Sequence, residues 1–177
     1  MNSIILTYLY SNWFLKLRTN MKKLIETFYT ALHHSDGSTM ISCYHDDIVF
    51  EDPAFGILKG ERAKAMWLML CASQNNKEFK VEYSNITANE HKGSAHWEAH
   101  YTFSKTGRPV HNVIDATFEF KDGLIIKHTD EFNLHKWAKQ AIGVKGIFFG
   151  GMQFFKNKLQ TQTNAILDKF IAEHKAV

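Results

Sequence analysis

Apolar residues recur at helical spacing from Lys22 to His34, where Leu24, Ile25, Phe28, Ala31 and Leu32 form one stripe. Asp36 is placed to cap a short second helix carrying Met40, Ile41 and Tyr44. The period then drops to two. Ile48, Phe50 and Asp52 alternate with Asp47, Val49 and Glu51, which predicts a strand that Pro53 stops. Residues 53–60, with Gly56 and Gly60, read as a loop before a third helix with Ala63, Met66, Trp67 and Leu70 on one side. From Lys77 to about Phe132 alternation dominates: Phe79, Val81 and Tyr83; then Ala95, Trp97, Ala99, Tyr101 and Phe103; then Asn112, Ile114, Ala116, Phe118 and Phe120. Asp122-Gly123 marks a tight hairpin. The last strand is read with Ile126, His128, Asp130 and Phe132 on one face. Glycines 143, 146, 150 and 151 interrupt the tail before a final helix holding Phe155, Leu159, Ile166, Leu167 and Phe170.

This order predicts an α+β domain with helices packed on one face of an antiparallel sheet. The inner face is so rich in rings that a cone around a cavity is expected. With 177 residues, fourteen of them Phe, one domain can bury a sizeable core. The ordinary balance of 45% hydrophobic and 22% charged residues excludes disorder and fibrous repeats. A net charge of +3 is too small to argue for nucleic acid as a partner. The charge is uneven: residues 135–177 carry +5 and residues 1–134 carry −2. The lysines of the final helix read as a solvated face.

Cys43 and Cys71 form no metal or redox motif, which suits two reduced thiols in the cytoplasm. No apolar run reaches the ~20 residues of a spanning helix, so no stable membrane insertion is expected. Residues 1–20 read as an N-terminal extension, since Ile4–Tyr10 has no preceding Lys or Arg and no clean cleavage site follows. Residues 21–177 read as the single domain, with a helical tail from about 134.

The run Phe28-Tyr29-Thr30-Ala31-Leu32, then Asp36, Cys43-Tyr44-His45-Asp46-Asp47-Ile48-Val49-Phe50-Glu51-Asp52-Pro53 and Gly60, resembles the nuclear transport factor 2-like superfamily. Within it the chain is similar to SnoaL-like and ketosteroid isomerase-related proteins, and Trp137-Ala138 with Ala141 and Gly143 fits a SnoaL-like subset. The resemblance covers roughly residues 22–137 and implies the cone-shaped fold. That superfold hosts enzymes and binding modules alike. The isomerase pattern implies an Asp base at Asp52. Its oxyanion Tyr corresponds to Phe28, with Tyr29 turned by about 100° on the helix, and its neutral acid corresponds to Ala116. The epoxide-hydrolase pattern lacks its Arg. The cyclase pattern, an acid–base Asp beside a His, is met by His128 and Asp130.

Asp52, His128 and Asp130 fall on apolar strand faces, where a carboxylate needs a partner, water or a function. They are the candidate catalytic residues. Asn112 is a candidate ligand contact, and Tyr44, Trp67, Trp97, Tyr101 and Phe118 are candidate pocket walls. No phosphate-cradling glycine motif occurs, so no organic cofactor is implied. His96, Glu98 and His100, with His111 and Asp115 beside them, form an outer face read as the surface of a homodimer, and no metal site is assigned there. The expected partner is a hydrophobic small molecule. The expected function is binding, with acid–base isomerase-, cyclase- or hydrolase-like chemistry; the alternative is a non-catalytic ligand-binding or interaction module.

Overall fold

The computed structural model describes residues 21–74 and 78–174, so the reading of residues 1–20 lies outside the described residues. Helix α1 covers residues 21–33 and buries Ile25, Phe28, Tyr29 and Leu32. Helix α2, Gly37–Ser42, starts at Asp36, whose carboxylate accepts from the Thr39 amide at 3.0 Å. Strand β1, Tyr44–Asp52, begins at a residue the helical pattern had absorbed: Tyr44 belongs to the sheet, not to α2.

Residues 53–60 are not a plain loop. After a turn at Pro53–Phe55 the chain returns as strand β2, Gly56–Lys59, antiparallel to β1. Four residues are too few for alternation to register in the sequence. Helix α3, Glu61–Ser73, follows and buries Ala63, Met66 and Trp67. Strands β3 (Phe79–Ala88), β4 (Lys92–Phe103), β5 (Arg108–Lys121) and β6 (Leu124–Phe132) are antiparallel neighbours.

The six strands form one curved sheet in the order β2-β1-β6-β5-β4-β3. It is mixed, not purely antiparallel, because β1 runs parallel to β6. That pairing places Phe50 beside His128 and brings the end of β1 next to Asp130 on β6. A one-residue shift between Glu119 and Phe120 places the extra residue in β6, so Ile125 takes the core position expected for Ile126.

Helices α4 (Leu134–Ile142), α5 (Val144–Phe149) and α6 (Gln153–His174) follow. The sheet's concave face meets α1, α2, α3 and α6 in one core, with Phe28, Phe50, Trp67, Trp97, Phe118 and Leu167 among its members. A smaller cluster packs Trp137, Ala138 and Ala141 of α4 against Val110. This is an α+β cone. Among the described residues, no helix is long and apolar enough to cross a membrane.

Candidate functional site

The cone encloses a cavity of about 450 Å³. Asp52 from β1, Trp97 and Tyr101 from β4, Asn112 from β5, Asp130 from β6 and Trp67 from α3 all line it. Tyr44, Phe118 and His128 do not reach the cavity wall. They lie behind it, and His128 is fully buried.

The polar groups behind the wall form one chain. Trp67 donates its indole N–H to the Tyr44 hydroxyl at 2.8 Å, and that hydroxyl lies 2.6 Å from His128 Nδ1. His128 Nε2 lies 3.0 Å from Asp130 Oδ1, which also accepts the Trp97 indole N–H at 3.2 Å. An indole N–H can only donate, so Trp67 gives to Tyr44 and Trp97 gives to Asp130. The arrangement that gives every donor an acceptor has Tyr44 donate its proton to Nδ1 and His128 donate its Nε2 proton to Asp130. Every buried donor in this chain is matched by an acceptor. Rings clamp the imidazole: Phe118 at 4.4 Å between centroids, and Phe28 and Phe50 edge-on at 5.3 Å.

Asp130 thus takes two N–H donors on Oδ1, while Oδ2 takes part in neither bond. Asp52 differs. Burial, and secondarily the nearby Asp130 carboxylate, push its carboxyl up to about 7, against the opposing effect of backbone amides. The Phe55 amide donates to Asp52 Oδ1 at 2.5 Å. One carboxyl is therefore held by indole and imidazole donors, and the other is poised near neutrality.

The turn that supplies this amide is latched from α6. Thr163 Oγ1 donates to the Ala54 carbonyl at 2.8 Å, Asn164 Nδ2 to the Phe55 carbonyl at 2.9 Å, and Gln160 Nε2 to the Pro53 carbonyl at 3.2 Å. The sequence reading missed these three residues. Their signal was the uncharged polar run Gln160–Asn164 between Leu159 and the apolar Ala165–Leu167. Tyr29 is another residue the sequence reading gave no role. Turned about 100° from Phe28, it is fully buried against Trp97 and Tyr83, and its hydroxyl has no partner among the described residues.

On the outer face, the paired residues His100 and His111 stack at 4.1 Å, and Glu98 bridges His111 and His96. Asp115 holds His96 at 2.8 Å, which raises the imidazole's affinity for its proton.

The family profile described as a SnoaL-like domain matches residues 25–128. The chain belongs to that family, within the nuclear transport factor 2-like superfamily. Solved structures are similar in fold. A candidate polyketide cyclase from Xanthomonas campestris pv. campestris is 20% identical, with 71% of this chain and 98% of that chain covered and a TM-score of 0.58. An LEH-like epoxide hydrolase from M. tuberculosis is 22% identical, with 75% and 92% covered and a TM-score of 0.55. A candidate ketosteroid isomerase from Kribbella flavida is 14% identical, with 66% and 79% covered and a TM-score of 0.52. No curated protein matches the chain. The latch on α6 lies beyond the family match.

Proposed function

We propose that this SnoaL-like protein binds a hydrophobic, carbonyl- or hydroxyl-bearing metabolite in the cone and transfers protons on it. The observation that carries the reading is the pair of unlike carboxyls on one cavity. Groups that share a site but differ in environment divide into acid and base. Asp130, oriented by His128 and Trp97, is the base. Asp52, with its carboxyl near 7, is the acid. His128 positions Asp130 from behind the wall and does not itself meet the ligand. Trp67, Trp97 and Tyr101 supply apolar walls, and Asn112 a hydrogen bond. That a candidate polyketide cyclase and an LEH-like epoxide hydrolase share this fold supports reading the cone as a place for enzyme chemistry.

The reading includes a homodimer through the outer face of β4 and β5, supported by its mixed His96, Glu98, His100, Val113 and Asp115 surface. It also includes a reducing, cytoplasmic setting, supported by Cys43 and Cys71, both buried and unbridged. Light scattering at micromolar concentration checks the first: a monomer removes it.

Deuterium exchange tests the chemistry. Wild-type protein incubated with a panel of aryl ketones in D2O should speed incorporation beside the carbonyl of those it binds, and Asp130→Asn should not. Ketones that bind with no exchange in the wild type would return the protein to a non-catalytic binding module.

A further inference from the structure

The least expected surface of the molecule is α5 and its junction with α6. Val144 and Phe148 are each 68% exposed, Phe154 56%, Met152 51% and Ile147 50%. Phe149 and Phe154 pack their rings on each other at 6.2 Å while both remain exposed. Isolated exposed apolar residues are ordinary, but a cluster of this kind marks an interaction site.

Close packing fixes the orientation. Gly146 is buried against α4, and a Cβ there would stand 1.9 Å from the Ala138 carbonyl oxygen. At about 100° per residue, Val144 and Phe148 then fall about 160° from Gly146 on the opposite side of the helix, with Ile147 on its flank. The apolar stripe points outward because glycine seals the inner side.

Charge selects the occupant. Residues 134–167 carry Lys136, Lys139, Lys145, Lys156 and Lys158 and no Asp or Glu. A second copy would bring the same charge against itself. Residues 1–20 would add Lys16 and Arg18, again with no acid. Exposed rings and aliphatics in a lysine-rich stretch without acids match the headgroup layer of an anionic bilayer, where rings sit at the polar boundary and lysines meet lipid phosphate.

We propose that the α5–α6 junction is a peripheral docking surface for anionic membranes, with Ile147, Phe148 and Phe154 entering the headgroup layer and Lys145, Lys156 and Lys158 around them. Nothing crosses the bilayer. Leu159, five residues beyond Phe154 on α6, lines the cavity. Along a helix that separation is about 7.5 Å, so docking brings the membrane close to a pocket suited to lipophilic guests.

Co-sedimentation of the full chain with vesicles tests this. Wild type should pellet with phosphatidylcholine mixed with phosphatidylglycerol, not with phosphatidylcholine alone, and raised salt should release it. Each of Lys145→Gln, Lys156→Gln and Lys158→Gln should weaken partitioning about fivefold. Phe148→Ser with Phe154→Ser should weaken it by about tenfold per ring while leaving the thermal melt unchanged, because both rings are exposed. No pelleting with the anionic vesicles at low salt overturns the proposal. Undiminished pelleting of the double Phe variant also overturns it, since another part of the chain then binds. Light scattering in which that variant alone dissociates a larger assembly assigns the patch to a second copy and overturns it too.

Discussion

Ala116 and Asp130 face each other across the β5–β6 ladder, on the buried side of the sheet. The carboxyl that the isomerase pattern puts at the Ala116 position is thus present one strand over. The small Ala116 side chain sits where a longer one would crowd it. At Asp130 the carboxyl gains what the Ala116 position does not offer: the His128 and Trp97 N–H donors, at 3.0 Å and 3.2 Å.

Two substitutions separate charge from hydrogen bonding at this residue. Asp130→Asn keeps an oxygen for both donors, so its effect on stability should stay under about 1 kcal/mol. Asp130→Leu leaves the Trp97 and His128 N–H groups buried without an acceptor, at a cost of about 2–4 kcal/mol. Both should abolish exchange activity. Urea melts check the difference, and equal losses in the two variants would remove the donor network from the account.

Tyr44→Phe should cost about 2 kcal/mol, because the Trp67 N–H and His128 Nδ1 each lose a buried partner while ring packing is kept. The same network assigns the His128 proton to Nε2. Nitrogen-detected NMR of the wild type near pH 7.5 should show that tautomer. A proton on Nδ1 would reverse the direction of every bond from Tyr44 to Asp130.

Much of the fold was legible because alternation over Ala95–Phe103 and Asn112–Phe120 admits only one buried face, and Asp36 and Asp122-Gly123 punctuate it chemically. Strand β2 was not legible, being four residues long beside a proline turn. The parallel β1–β6 pairing was not either, because pairing partners far apart in sequence leave no local signal. Asp52, Asp130, Asn112, Trp67, Trp97 and Tyr101, singled out by periodicity and by resemblance, all line the cavity. Tyr44, Phe118 and His128 share those faces but lie deeper, and depth is set by the curvature of the sheet, which periodicity does not encode. The α6 latch on the Asp52 turn depends on docking of a distant helix.

Tyr29→Phe should stabilise the protein by about 1 kcal/mol. Its hydroxyl is buried without a partner, so its desolvation is uncompensated. Burial, then the neighbouring Asp130 and Tyr44, hold the phenol far above its ordinary range, so it stays neutral and no charge is lost in the exchange. Thermal melts of the two proteins decide it. A less stable Phe variant would show that the hydroxyl is hydrogen-bonded in solution.

Asp52 should give the protein a stability that declines between mild acid and neutral pH. Its carboxyl rises from 3.8 in the unfolded chain to about 7 in the fold. Between those values the folded state holds a proton the unfolded state has released, so raising the pH favours unfolding. The contribution is fully present below 3.8 and is lost as pH climbs through about 7. At about 1.4 kcal/mol per unit the loss is bounded near 4 kcal/mol, and cavity water in contact with the carboxyl reduces it. Asp52→Asn retains an oxygen for the Phe55 amide and removes the titration. The variant should match wild type near pH 4, exceed it above pH 7 by about 2 kcal/mol, and show a flatter profile between. Urea melts across that range measure the difference directly. A variant that tracks wild type at every pH, or falls below it above pH 7, would mean that Asp52 is ionised at no cost in the fold, and the assignment of the acid to Asp52 would fail with it.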